Sequence, residues 1–135
     1  MMSVKEDPIK LHKEAMALME NKKYQEALDL FTKVAELYYK GQNYFGSAEM
    51  YYKAGECSVA LKNNEKGAEL YMKSSDISLN KGFDRYGLSA LKEAKECFKA
   101  LGKTKEVEET NKKIDEIDKK LNPPDTGEGS FSIFS

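Results

Sequence analysis

The side chains that most often bind metals or carry out catalysis are few in this sequence and lie far apart. His12 is the only histidine, and the two cysteines, Cys57 and Cys97, are separated by forty residues. A zinc site needs three or four Cys, His or carboxylate ligands, which usually occur in closely spaced pairs. We therefore expect no metal site and no cofactor.

Two other patterns are associated with catalysis but have simpler interpretations here. Gly102-Lys103 matches only the end of a phosphate-binding loop, because the first glycine and the loop spacing of that motif are absent. The many carboxylates lie among lysines at helical spacings, which is typical of surface ion pairs worth about 0.2–0.5 kcal/mol each. We expect a protein that is not an enzyme and has no catalytic residues.

Composition predicts a small cytoplasmic protein. The 135 residues include 22 Lys and Arg against 23 Asp and Glu, so no basic excess favours nucleic acid. The N-terminus lacks the apolar segment of a signal peptide, and no window approaches the roughly 18 apolar residues of a membrane span. Stacked helices lie about 8–10 Å apart, whereas a disulfide needs Cα atoms within about 7 Å. Cys57 and Cys97 are therefore expected to be reduced core residues.

The strongest pattern is a repeat with a period of forty residues. Residues 29–37 and 69–77 keep acidic, aliphatic, aromatic and basic side chains at corresponding positions, and Glu56 and Cys57 return as Glu96 and Cys97. A fixed period of about 20–50 residues indicates stacked units that cannot bury their apolar faces alone. The repeat therefore predicts a helical scaffold that binds other proteins.

Glycine, asparagine and proline divide the chain into six predicted helices. Their ranges are about 8–21, 24–39, 44–62, 65–81, 84–101 and 104–121. The expected N-caps include Asp7, Asn63 and Asp84, and Gly82 and Gly102 are expected to end helices. Pairing the helices predicts three antiparallel hairpins, at about 8–40, 44–81 and 84–121, in a domain of residues 1–122.

Two details of this division carry structural predictions. Residues 40–46 match residues 81–87 at a spacing of 41, which predicts a one-residue slip of register inside a turn. The last helix has a narrow apolar stripe formed by Val107, Thr110, Ile114, Ile117 and Leu121. The stripe is typical of a terminal helix with one wet face. A coiled-coil seam between two chains is the alternative.

The helix hairpins of this repeat resemble the tetratricopeptide repeat family, and the soluble NSF attachment proteins among its longer-helix relatives. Hairpins of that family have small residues where helices cross and an aromatic residue in the gap between them. The matching residues are Ala15, Leu18, Tyr24, Ala27, Phe31 and Val34 in the first hairpin and Gly55, Gly67 and Tyr71 in the second. The third departs, with Lys95 at a small position and Asn111 at an aromatic one. HEAT-type arrays, with units of about 40 residues, are the alternative fold.

The resemblance implies an all-α, right-handed superhelix whose concave face binds a peptide or helix of another protein. That face is built mostly by the first helix of each hairpin. The residues that we place toward it are Met16, Met19, Tyr52, Glu56, Lys92, Glu96 and Lys99. The alternative is that the Met and Tyr side chains pack in the core while the charged ones solvate helix surfaces. The aromatic group Tyr38, Tyr39, Tyr44, Phe45, Tyr51 and Tyr52 is expected mostly to pack between hairpins.

The last thirteen residues, 123–135, differ in composition from the repeat. After Pro123-Pro124, glycine and small polar residues predict a flexible tether. Three large apolar residues follow, Phe131, Ile133 and Phe134, which predicts docking of the tail into the protein's own groove or a neighbour's. A disordered tail, or one packed against helix 6, is the simpler alternative. The sequence thus predicts an adaptor, with self-assembly through the tail or helix 6 as the alternative function.

Overall fold

The computed structural model of the protein describes residues 6–124 and contains six α-helices in series. In chain order they are α1 (Pro8–Glu20), α2 (Tyr24–Lys40), α3 (Tyr44–Ala60), α4 (Asn64–Asn80), α5 (Asp84–Ala100) and α6 (Thr104–Leu121). Each helix packs against its neighbours in the chain, and no strand occurs in the described part. The helices form a tetratricopeptide-like superhelix of three hairpins. Every predicted helix is confirmed, with ends that agree to within two residues.

The five turns share one geometry, and a helix begins every twenty residues. Helices α2 to α6 start at residues 24, 44, 64, 84 and 104. In each turn one residue has a positive φ, and the residue after it donates its backbone N–H to the carbonyl five residues earlier, at 2.8–3.0 Å. This hydrogen bond is characteristic of a Schellman motif. The positive φ lies between +61° and +86°, and the five residues that have it are Lys22, Gln42, Lys62, Gly82 and Gly102. The forty-residue repeat therefore consists of two copies of a twenty-residue unit.

The predicted slip of register is wrong. Helices α3 and α5 begin forty residues apart, and the equivalent of Gly82 is Gln42 rather than Gly41. Gly41 has a φ of −83°, which any residue adopts, so the match at a spacing of 41 aligned two glycines with different roles.

The predicted caps are confirmed at Asp7 and Asn63 and wrong at Asp84. The side chains of Asp7 and Asn63 accept the backbone N–H groups of Ile9 and Lys66. The N-cap of α5 is Phe83, and Asp84 is the first helical residue. In that position the Asp84 carboxylate lies 2.9 Å from Nζ of Lys120, which holds the end of α6 beside the start of α5.

Three clusters of buried side chains fill the space between the helices. The largest is built around residues such as Phe31, Val34 and Ala54, and the second joins α4 to α5 around Tyr71 and Cys97. The third joins α5 to α6 and contains Ile114, with Ile117 and Leu121 packed against it. The apolar stripe of α6 therefore packs within the chain, as expected of a terminal helix, and is not a free coiled-coil seam.

Small residues let neighbouring helices approach closely. A Cβ atom added at Gly55 would lie 3.0 Å from three carbons of the Tyr71 ring, and one at Gly67 would lie 3.2 Å from Sγ of Cys97. Both glycines were expected at helix crossings. Cys57 and Cys97 are free and buried, and burial raises the pKa of each thiol to about 11.

Candidate functional site

A continuous row of aromatic rings joins α3, α4, α5 and the turn before α5. In order the rings are Phe83, Phe45, Tyr86, Tyr52 and Tyr71, and successive ring centroids lie 5.2, 5.1, 5.5 and 5.1 Å apart. Three of the four contacts have the edge-to-face geometry that aromatic pairs favour, and the Tyr52–Tyr86 contact is tilted. We call these five residues the aromatic row.

The row runs from solvent into the core. Phe45 and Phe83 are 41% and 36% exposed, whereas Tyr71 is only 2% exposed. Tyr52 is half-buried and packs against the cluster that contains Tyr71. The buried end is fixed by core packing, so it holds the exposed rings in place.

Local helix geometry explains how the sequence builds this row. Phe45 and Tyr52 are seven residues apart on α3, which places them on the same side of the helix two turns apart. Tyr86 and Glu93 have the same spacing on α5. Helices α3 and α5 occupy equivalent positions in successive hairpins, so their matching sides lie next to each other. We call the surface formed by Phe45, Tyr52, Glu56, Tyr86 and Glu93 the α3–α5 face.

The α3–α5 face carries negative charge. Burial is the main cause that raises the pKa of Glu56, with Lys53 lowering it and Glu93 raising it further. Burial and then the charges of Glu93 and Glu56 raise the pKa of Tyr52. Burial followed by the charge of Glu49 raises the pKa of Tyr86. Three carboxylates therefore lie close enough to the rings to affect their ionisation.

These carboxylates have no direct ionic partner in the described part of the chain. The four ion pairs within residues 6–124 include none of Glu49, Glu56 and Glu93. Lys53 is the cation that lowers the pKa of Glu56, and a single lysine does not balance three negative charges. A cation from another molecule would find uncompensated negative charge beside the aromatic row.

The structure places only some of the sequence-predicted site residues together. Tyr52 and Glu56 lie on the α3–α5 face. Met19 packs against the largest core cluster, and Met16 is 38% exposed on α1.

The remaining predicted residues lie on α5. Lys92 and Glu96 are exposed. Nζ of Lys99 is 3.7 Å from a carboxylate oxygen of Glu96, and Lys99 also lines a separate depression with Val107 at the turn between α5 and α6. The predicted tail residues Phe131, Ile133 and Phe134 lie outside the described residues.

Sequence reasoning missed the α5 half of the site. Tyr86, Phe83 and Glu93 were not among the predicted site residues, although the seven-residue spacing of Tyr86 and Glu93 was visible. The aromatic group at the first repeat junction divides between two environments. Tyr38 and Tyr51 are buried, whereas Tyr39 and Phe45 are exposed.

An open depression lies at the exposed end of the aromatic row. It has a cavity volume of about 510 Å³ and is lined by Phe45, Phe83, Tyr86, Leu121, Arg85, Gly82 and Asp84. Leu121 is the last residue of α6, so the depression lies between the turn before α5 and the end of α6. We call it the Phe45 pocket.

The described residues offer neither a metal site nor a membrane span. Within residues 6–124, no group of three His, Cys, Asp or Glu side chains is arranged to hold a metal ion. None of the six helices in this part of the chain combines the length and the apolar character needed to cross a membrane.

The series of helix hairpins with small residues at their crossings defines a tetratricopeptide-like helical repeat protein. The sequence model of the family described as soluble NSF attachment protein, SNAP, matches residues 7–126, and the chain belongs to this family. No match was found among curated proteins or among solved structures. Membership of this family suggests a role in protein interaction.

Proposed function

We propose that this protein is a non-enzymatic cytoplasmic adaptor that binds a peptide or helix of a partner protein on the α3–α5 face. The observation that supports this most is the aromatic row, which leaves Phe45 and Phe83 exposed at one end and has Glu49, Glu56 and Glu93 near its tyrosines. Exposure of large aromatic rings to water does not stabilise a protein, whereas such rings provide much of the contact area in protein interfaces. The family of attachment proteins supports the same class of function.

The chemistry of the face favours a partner segment with basic and apolar side chains. The exposed rings Phe45 and Phe83 provide apolar contact area and could also accept Lys or Arg, a contact worth about 0.5–1 kcal/mol at exposed sites. Glu56 and Glu93 offer carboxylates to the same cations, and charges of this kind also steer a partner toward the site. An amphipathic helix with basic residues beside an apolar stripe would satisfy both requirements.

Three other sequence-predicted residues are exposed and so accessible to a partner. Lys92 and Glu96 lie on α5, and Met16 lies on α1. We propose these residues as outer contacts. Met19 and Lys99 have less direct roles, because Met19 packs against the core and Lys99 lines the depression at the α5–α6 turn.

Selection from a library of displayed peptides tests this function even though the partner is unidentified. The full chain is the bait, and a second selection uses the double variant Glu56→Lys with Glu93→Lys. The proposal expects enriched peptides to combine Lys or Arg with aromatic or aliphatic residues and to lose binding to the variant. The matched control is Asp76→Lys with Asp115→Lys, which makes the same charge change at exposed positions of α4 and α6. Enriched peptides that bind both double variants equally well would contradict the proposed site.

The alternative function is self-assembly, either through α6 or through the tail. The α6 stripe packs against α5, so pairing of two chains through α6 would require that contact to open. Exchange of the tail between copies remains as the other route, and mixing of differently labelled chains distinguishes it from docking within one chain.

A further inference from the structure

We propose that the segment Phe131–Phe134 of the same chain binds in the Phe45 pocket. This inference concerns the chain's own tail and does not depend on the proposed partner. It follows from the chemistry of the pocket and from the point at which the described chain ends.

The pocket has the size and lining of a site for apolar side chains. Its volume of about 510 Å³ leaves room for large side chains, and its open shape lets a peptide enter from the surface. Phe45, Phe83, Tyr86 and Leu121 supply its apolar lining. Phe45 and Phe83 are the most exposed rings of the aromatic row, so a ligand that covered them would remove apolar surface from water.

The tail starts beside this pocket. Leu121 lines the pocket and is three residues before Pro124, the last described residue. Phe131 follows Leu121 by ten positions, and a chain of that length can span up to about 33–36 Å. The linker is therefore long enough for Phe131, Ile133 and Phe134 to reach the pocket.

Tethering and charge both favour this occupant over a free peptide. A short linker gives an effective concentration in about the millimolar range, so a contact too weak to be seen between separate molecules would still be populated. The linker carries Asp125 and Glu128, and Arg85 lines the pocket. Asp84, the other charged residue of the pocket, is paired with Lys120, which leaves Arg85 to pair with the acidic linker.

Docking of the tail would also affect access to the α3–α5 face, because Phe45 and Tyr86 belong to both the pocket and the face. This consequence rests on the proposed function, whereas the docking itself does not. A tail bound in the pocket would compete with any partner that uses these two rings.

Paramagnetic broadening in the full chain tests the docking directly. A spin label is attached through the substitution Ser130→Cys, next to Phe131. The native thiols of Cys57 and Cys97 are buried and have pKa values of about 11, so the label reacts at the new position. The proposal expects the amide signals of Phe45, Gly82 and Tyr86 to lose about half or more of their intensity, as expected for a millimolar contact at millimolar effective concentration.

Two comparisons make the result decisive. In the first, Phe131→Ser, Ile133→Ser and Phe134→Ser are combined with the label, and the intensities should recover if the apolar residues hold the tail in place. Equal broadening with these substitutions, or no broadening in the native tail, would overturn the proposal.

In the second comparison, isotope-labelled chains without the spin label are mixed with spin-labelled chains that carry no isotope. The proposal expects full intensity at Gly82 and Tyr86 in the mixture. Broadening that appears equally in the mixture would show exchange of tails between copies and would overturn docking within one chain.

Discussion

The ring of Tyr71 packs directly against Gly55, where α4 crosses α3. A Cβ atom at residue 55 would be 3.0 Å from Cδ1, Cε1 and Cζ of that ring. Tyr71 is almost fully buried and also contacts Tyr52, so it cannot move aside without disturbing the aromatic row. The glycine thus connects the packing of the core to the position of the proposed site.

We expect Gly55→Ala to lower the free energy of unfolding by about 0.5–2 kcal/mol. Overpacking of a filled core costs about 1–3 kcal/mol, and the better helix propensity of alanine offsets up to about 1 kcal/mol of this. Urea unfolding followed by circular dichroism measures the difference. Gly41→Ala is the matched control, because its nearest neighbours are at 3.5 Å and its effect should be within about 0.5 kcal/mol. A Gly55→Ala protein as stable as the native chain would show that the ring adapts freely.

The shared turn geometry predicts that two opposite exchanges have opposite effects. Gln42 has a φ of +65° and Gly82 a φ of +86°, in equivalent turns. We expect Gln42→Gly to stabilise the protein and Gly82→Gln to destabilise it, each by about 1 kcal/mol, because a side chain disfavours this conformation. Thermal unfolding of the two variants measures both effects. Changes of the same sign would mean that the two turns are not equivalent.

Two adjacent buried serines are predicted to respond oppositely to the same substitution. Oγ of Ser74 donates to the carbonyl of Ala48 at 2.7 Å and so links α4 to α3. Oγ of Ser75 is buried and has no hydrogen-bond partner within the described residues. We expect Ser74→Ala to cost about 0.5–1 kcal/mol and Ser75→Ala to gain about 0.5–1 kcal/mol, since only the first loses a bond. Chemical unfolding of both variants tests this, and equal effects would contradict the assignment of the bond.

The buried thiols predict a loss of stability at alkaline pH. Burial raises the pKa of Cys57 and Cys97 from 9.0 to about 11 in the folded chain. Between these values the unfolded chain releases its thiol protons while the folded chain keeps them, so rising pH favours unfolding. The contribution is fully present below pH 9.0 and is lost as the pH rises to about 11.

The double variant Cys57→Ala with Cys97→Ala isolates this effect. Urea unfolding of both proteins from about pH 8 to about pH 10 should show a shallower decline in the variant. Identical slopes would mean that the thiols do not contribute and that other groups cause the decline.

Much of the fold could be predicted from local sequence signals. Proline, asparagine and glycine mark the helix ends, and small residues paired with aromatics mark the crossings. These signals were enough to predict the six helices and the order in which they pack. The shared turn geometry was not predicted, because Lys22, Gln42 and Lys62 hold the left-handed position that sequence reasoning assigns to glycine. Packing of the flanking helices overrides their local preference.

The site could be predicted only in part, for a physical reason. Tyr52 and Glu56 were found because the first helix of a hairpin was expected to bind. Glu93 and Tyr86 join them only because of how α5 is rotated about its axis relative to α3. That rotation depends on the crossings at Gly55 and Gly67 and on the filling of the gap by Tyr71. The period of the repeat alone does not determine it.

The binding role of the α3–α5 face is tested most directly by the affinity of one library-selected basic peptide for the full chain, measured by isothermal titration calorimetry. We expect the double variant Glu56→Lys with Glu93→Lys to weaken binding by about tenfold or more, which corresponds to about 1.4 kcal/mol. Under the same conditions the control double variant, Asp76→Lys with Asp115→Lys, should change it by less than about twofold, as surface charges remote from a site do. Equal affinities for the native chain and the Glu56→Lys, Glu93→Lys variant would contradict the assignment of the α3–α5 face as the binding site.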